Sequence, residues 1–295
     1  MNISKKISVL LITFVRKKNI KKLLKILDNR YVSRIYIYSN YSEKSNDIEK
    51  INYIRNIIKK DNLKKKIYFS KEYRPVHESI PHAISWFFSN EKNGIILEDD
   101  CLPNTYFFKF CLENINKLNN QKYMLISGNR YSPVNNDYKN LYASIYFHGW
   151  GWATTQNNWN NFIYYLNNNF NKKNIFNLHQ IKSIFGKMYW MNIFYLIKNK
   201  KLFSWDYMLQ KYLFDKKKLC IIPNKNLVKN NGIDKFAQNT LKRNILNLVE
   251  KYYIPTKDNK SCNVVYDYNN DIWEEKNLFG IKKNILKNYV SKFFN

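Results

Sequence analysis

The chain has 295 residues, 45% of them hydrophobic and 17% aromatic, with a formal net charge of +28. That length and apolar content suffice for a large buried core and exclude a globally disordered polypeptide. The positive excess points to an anionic partner (a nucleotide, a lipid surface or nucleic acid) or to a Lys-, Asn-, Ile- and Tyr-rich composition with its lysines on solvated faces.

Ile7–Phe14 is a nearly continuous apolar run, as expected of a strand covered on both faces. It lies between Lys5-Lys6 and Arg16-Lys17-Lys18, but it is too short for a signal peptide and no small-residue cleavage site follows. Ile20, Leu23, Leu24 and Leu27 then recur at helical spacing, Arg34–Ser39 reads as a strand, Ile51, Ile54 and Ile58 mark a helix, and Lys66–Ser70 a third strand. This β-α-β-α-β order predicts a parallel sheet with helices on its faces. No GxGxxG or GxxxxGK[ST] occurs, which disfavours a dinucleotide cofactor and a P-loop. Phosphate must then be met by a metal or by side chains.

Tyr73–Ser89, with His77 and His82, reads as a helix leading into Gly94–Asn104. There three apolar residues run straight into Glu98-Asp99-Asp100, then Pro103 and a helix from about Tyr106. Ligand sites in open α/β sheets lie at the carboxyl ends of strands. Adjacent carboxylates repel unless a cation or water separates them. A hard divalent ion with phosphate on its far side is the simplest partner. Tyr123–Ser127 reads as another strand. Residues 128–160 read as loop-rich. Within them, Phe147–Thr154 alternates Gly149 and Gly151 with Trp150 and Trp152, which suits neither a helix nor a plain strand, and Trp suits stacking on a sugar or base. A loop packed under the sheet would use the same residues.

Met188–Ile197 reads as a buried helix. Ser204 is an N-cap candidate for a helix with Asp206 in its first turn, where the dipole favours the ionised carboxylate. Leu219–Pro223 reads as a strand, followed by a polar segment with a loop at Asn230-Asn231-Gly232. Gly280–Asn295 is basic and amphipathic, fitting either an anionic membrane surface or a domain cap. Four separated cysteines, Cys101, Cys111, Cys220 and Cys262, form no zinc pattern or disulfide framework and fit a reducing cytosol. No run approaches the roughly 18 apolar residues of a spanning helix.

The order of these segments resembles a bacterial glycosyltransferase of the GT-A fold, similar in its core to N-acetylglucosaminyltransferase I and to family 2-like nucleotide-diphospho-sugar transferases. The carrying stretches are Val9–Arg16, Gly94–Cys111, Ile126–Asn129, His148–Thr154, Trp205–Tyr207 and Cys220–Gly232, within about residues 5–240. The resemblance implies an α/β, Rossmann-like GT-A domain over 1–240, with a C-terminal extension over 241–295. It implies an inverting, metal-dependent hexosyl transfer from a nucleotide-sugar, a UDP-sugar first among them, to a glycan or lipid-linked acceptor. Asp100 would hold Mn2+ or Mg2+. Thr13, Arg16, Glu98, Asp99, Trp150 and Trp152 would border the donor, and Asp206 would be the base. The enzyme would be cytoplasmic, with peripheral contact at the inner membrane face and no nucleic-acid partner. One departure is Asn239, which stands where relatives carry His. A sugar-phosphate nucleotidyltransferase is disfavoured because Thr13–Lys18 has no Gly. An inactive glycan- or nucleotide-binding relative is the other alternative.

Overall fold

The computed structural model describes residues 6–133, 141–168, 178–232 and 263–279. The first half alternates as the apolar pattern predicts: β1 (Ile7–Thr13), α1 (Ile20–Leu27), β2 (Val32–Ser39), α2 (Ser45–Lys60), β3 (Lys65–Phe69), α3 (Val76–Phe88), β4 (Asn93–Glu98), the short β5 (Cys101–Pro103), α4 (Thr105–Asn114) and β6 (Tyr123–Ser127). Then come β7 (Leu141–Ser144), β8 (Trp152–Thr155), α5 (Gln156–Asn168), α6 (Ile184–Lys198), α7 (Trp205–Lys216), β9 (Leu219–Ile222), β10 (Val228–Asn230), β11 (Val264–Tyr266) and α8 (Tyr268–Asn277).

Nine strands make one sheet in the order β11-β7-β9-β6-β8-β4-β1-β2-β3. The neighbours β4-β1-β2-β3 are parallel, as are β6 and β9. The expected architecture, a mostly parallel sheet flanked by helices, is thus observed. Period-2 alternation divides each strand between two helical layers. In β1, Val9 and Leu11 share one core with α1, α2 and α4 residues, while Leu10 and Ile12 share the other with residues of α3, α5 and α7.

The structure departs from the loop expected over residues 128–160 at Trp152. Trp152 does not stand in a loop. It opens β8, which is inserted antiparallel between β4 and β6, with Ile96 and Ser127 opposite Trp152. The preceding Gly151 takes the turn, with φ +71°, and a Cβ there would crowd Val228 and Leu97. The chain therefore turns tightly at Gly151 and runs extended from the next residue.

Within the stretch expected as a C-terminal extension, β11 pairs in parallel with β7 of the sheet. Helix α8 follows, and its inward face is Asn270, Asp271, Glu274 and Glu275, all buried. The amphipathic segment Gly280–Asn295 and Asn239 lie outside the described residues. No helix among the described residues is long and apolar enough to cross a membrane.

Candidate functional site

The parallel strands β1 and β4 end side by side, with Ile12 opposite Glu98. Their carboxyl ends therefore share one edge. Asp99 joins the two loops there. Its buried carboxylate accepts from the Phe14 backbone N–H at 2.8 Å, and its carbonyl accepts from Asn19 Nδ2 at 3.2 Å. This clamp directs Arg16 toward the acidic turn, where its guanidinium pairs with the Asp100 carboxylate.

A third segment closes the group. β10 pairs antiparallel with β5, Asn230 opposite Cys101, and the Asn231 N–H donates to the Asp100 carbonyl at 2.8 Å. Gly232 follows, buried against the Arg16–Asp100 pair, and a Cβ there would collide with both side chains. The Gly232 carbonyl lies 3.5 Å from Arg16 Nη2. Asn230–Gly232, read from sequence as a loop at the end of a stretch that carries the resemblance, thus forms one wall of the site.

The carboxylates here are poorly compensated. Burial pushes Glu98 well above the usual carboxylate range, and the charges of Asp100, Asp99 and Asp206 push it further, against Arg16. Asp99 is pushed up to about 7 by burial and then by Asp100, despite the Phe14 hydrogen bond and Arg16. Asp206 reaches the same group from α7. Burial raises its pKa, while the Ser204 hydroxyl and the backbone N–H groups of Tyr207 and Asp206 favour the ionised form. Ser204 occupies the N-cap position as expected, but its hydroxyl donates to the Asp206 carboxylate rather than capping the backbone. The result is a carboxylate made more basic than usual by burial yet held in the first turn of a helix, where the dipole favours its ionised form.

The remaining wall is aromatic. Trp150 is half-buried and meets Tyr131 edge-on at 5.3 Å. Tyr131 lies over His148, ring centroids 4.2 Å apart. His148 is fully buried, contacting the Asn129 carbonyl through Nδ1 at 2.9 Å and Glu274 through Nε2 at 3.0 Å. Glu274 raises the pKa of this imidazole, against the lowering effect of burial. Gln210 of α7 ties the wall to the Asp206 helix. Its amide donates to the Ile145 carbonyl and accepts from the Phe147 N–H, each at 2.8 Å.

Of the residues singled out in the sequence, Arg16, Glu98, Asp99, Asp100 and Asp206 belong to one electrostatic group, and Trp150 lies on the loop entering β8. Thr13 and Trp152 present no group to that surface. Thr13 is buried, its hydroxyl donating to the Tyr38 carbonyl at 3.2 Å, which bridges β1 to β2. Trp152 points into the α3/α5/α7 layer, stacked on Trp205 at 6.0 Å and edge-on to Phe147 at 5.4 Å. Tyr131 and Glu274 carry no signal of their own in the sequence, and Gly232 enters there only as part of a loop and of a stretch that carries the resemblance. Gly232 sits where only hydrogen fits, and no periodicity exposes such a position.

Hard oxygen donors facing a shortage of positive charge fit Mg2+ or Mn2+ in kind. The described residues contain no cluster of three or more metal-ligating side chains. The arrangement therefore fits an ion held by one or two carboxylates and completed by substrate oxygens and water, rather than a closed protein cage.

No protein-family model matches the chain, and no curated protein matches it. Among solved structures it overlaps loosely with a mannosyltransferase from Pyrobaculum calidifontis in complex with GDP-Man and Mn2+, at 12% identity and a TM-score of 0.35, covering 52% of this chain and 45% of that one. A second overlap is with HddC from Yersinia pseudotuberculosis, at 12% identity and a TM-score of 0.33, covering 51% of this chain and 77% of that one. A third is with the inositol-1-phosphate CTP transferase from T. maritima, at 10% identity and a TM-score of 0.40, covering 85% and 98%. The chain thus spans less than half of the mannosyltransferase. Overlaps this loose leave the assignment of activity to the site itself.

Proposed function

We propose that the chain is an inverting, metal-dependent glycosyltransferase that moves a hexosyl group from a nucleotide-diphospho-sugar to a hydroxyl of a glycan or lipid-linked acceptor. One observation carries this reading: a separate basic carboxylate, Asp206, shares an electrostatic group with the Asp100–Arg16 pair at the carboxyl ends of β1 and β4. The sheet, mostly parallel and flanked by helices, is compatible with the GT-A-like fold that the sequence resembles.

In this reading the acceptor oxygen attacks the anomeric carbon while the bond from that carbon to the diphosphate oxygen breaks. The nucleoside diphosphate leaves with the bonding electron pair. Asp206 takes the acceptor's proton, and attack opposite the leaving group inverts the anomeric centre. Arg16 places a fixed cation beside the leaving diphosphate. A divalent ion held by Asp100 supplies Lewis-acid stabilisation of the charge that develops there. Asp99 keeps Arg16 in place through Phe14, Glu98 borders the donor, and Trp150, backed by the buried Tyr131, offers a flat face to a sugar ring.

The test is a thermal-shift screen of nucleotide-sugars with and without Mn2+, followed by transfer assays. Stabilisation by one donor class that needs the metal, and turnover lost in Asp206→Asn, is the expected result. Full turnover in EDTA or in Asp206→Asn would overturn the mechanism. Pyrophosphate release from a nucleoside triphosphate would indicate nucleotidyl transfer instead.

A further inference from the structure

Helix α6 carries an apolar stripe on both of its faces. Gly186, Trp190, Ile193, Phe194 and Ile197 face inward. Its N-terminus is anchored on α8, where the Glu275 carboxylate accepts from the backbone N–H groups of Lys182 at 3.2 Å and Ser183 at 2.6 Å. The outward face is also apolar: Ile184 is 68% exposed, Phe185 43%, Met191 47% and Tyr195 47%. A surface helix of a globular protein ordinarily carries mixed charges there, and a helix that is apolar all round is covered by something.

Along the chain, the charge of the stretch that contains α6 has one sign, and the nearby Glu275 is buried beneath the helix. No Asp or Glu occurs anywhere in residues 138–205, which contain eight lysines. Of these, Lys182 and Lys187 flank the start of α6, and Lys198, Lys200 and Lys201 its end. A protein partner would ordinarily be met with both signs of charge and with paired hydrogen-bonding groups. Aliphatic and aromatic side chains rimmed by lysine, without a carboxylate, are what the headgroup boundary of an anionic bilayer accommodates. Apolar side chains enter the acyl edge, and lysine stems lie along it with their ammonium groups among the phosphates.

We propose that the outward face of α6 is a membrane-docking surface, seating the protein on an anionic lipid bilayer through Ile184, Phe185 and Met191 with Lys187 and Lys201 at its rim. The inference does not depend on the glycosyl-transfer reading, because lipid binding is measured without turnover.

The test is flotation of the full chain with vesicles of phosphatidylglycerol and phosphatidylcholine, against vesicles of phosphatidylcholine alone, in about 0.1 M salt. The wild type is expected to float with the anionic vesicles only. The double variant Ile184→Glu/Met191→Glu is expected to bind at least about tenfold more weakly with an unchanged thermal midpoint, since both side chains already face outward. Lys187→Glu/Lys201→Glu is expected to lose binding and its salt dependence together. A third variant reverses Lys282, Lys283, Lys287 and Lys292 in the basic C-terminal segment. Loss of binding in that variant alone, with the α6 variants unaffected, overturns the proposal. So does a wild type that ignores anionic vesicles, or one that self-associates in sedimentation through Ile184 and Met191 without binding lipid.

Discussion

Two clusters of buried carboxylates lie in this molecule, and they are wired oppositely. On α8, each acid has a partner in the fold. Asp267 pairs with Arg130 at 2.6 Å, Asp271 accepts from Ser144 at 2.5 Å and from the Ile145 N–H at 3.2 Å, Glu274 meets His148, and Glu275 holds Tyr146 and the start of α6. At the end of β4, Glu98, Asp99 and Asp100 stand together with Asp206 near, and Arg16 opposes them. The first cluster is what an acid looks like when the fold uses it, since a buried charge persists where it is paired and hydrogen-bonded. The second gathers four carboxylates against the single guanidinium of Arg16, and sites with such a surplus are where ligands and chemistry are found. The same side chain therefore reads as structure in one place and as chemistry in the other, and the partners make the distinction.

The comparison can be broken by substitution. The largest contrast is Asp206→Asn against Glu274→Ala. The first is expected to lower turnover by about 10³-fold while leaving the thermal midpoint within a degree or two. The second strands His148 in the core and is expected to cost about 3–5 kcal/mol of stability, read in denaturant unfolding, with activity falling only as the fold does. If Asp206→Asn unfolds the protein, or Glu274→Ala leaves it intact, the two clusters are not different in kind. Gly232→Ala comes next. The added methyl must displace Arg16 or Asp100, whose side-chain ends can give way, so the expected effect is a several-fold rise in KM for the donor at nearly unchanged stability.

The smallest effect is one of pH. Burial and the charge of Glu274 push Asp271 up to about 7, above its unfolded value. An acid raised in the folded state is lost as a source of stability as pH rises between the unfolded and folded values. His148, raised above the imidazole range, contributes stability that is complete below its unfolded pKa and lost as pH climbs through the folded one. Both therefore act in the same direction. The thermal midpoint is expected to rise modestly from pH 8 to pH 5, and less in Asp271→Asn. A midpoint that falls over that interval would contradict the wiring assigned to α8.

Much of the first 127 residues was legible because buried strands and helices write different apolar periods, and Ile7–Thr13 and Ile20–Leu27 do so cleanly. The acidic turn was legible because charge beside an apolar run needs a reason, whereas Asp206 was legible only as a first-turn carboxylate until the family resemblance implied a role for it. α8 was not, because its inward face is Asn270, Asp271, Glu274 and Glu275, an amphipathic pattern with its polarity reversed. The i, i+4 repeat of acids was a signal, but it acquires meaning only beside Arg130 and His148, which are more than a hundred positions away in the chain. Trp152 misled for a local reason, since alternation with glycine disguised a strand that starts one residue after a tight turn. The β5–β10 pairing, which brings Gly232 to Asp100, joins two three-residue strands too short to leave a pattern.

β8 runs against both of its neighbours. It therefore begins at the edge where β4 and β6 finish, and Trp150 arrives beside the acidic turn. It ends at the opposite edge, where the Gln156 N–H bonds the Lys92 carbonyl just before β4 starts. One short strand thus sorts the chain's freedom to diverge. Extra residues in the approach to β8 remodel the rim beside the acidic turn. Extra residues immediately after it emerge on the far side, away from the chemistry. A lineage of such proteins can vary that rim through the approach alone, keeping the acidic turn, its arginine and the helix bearing Asp206 unchanged.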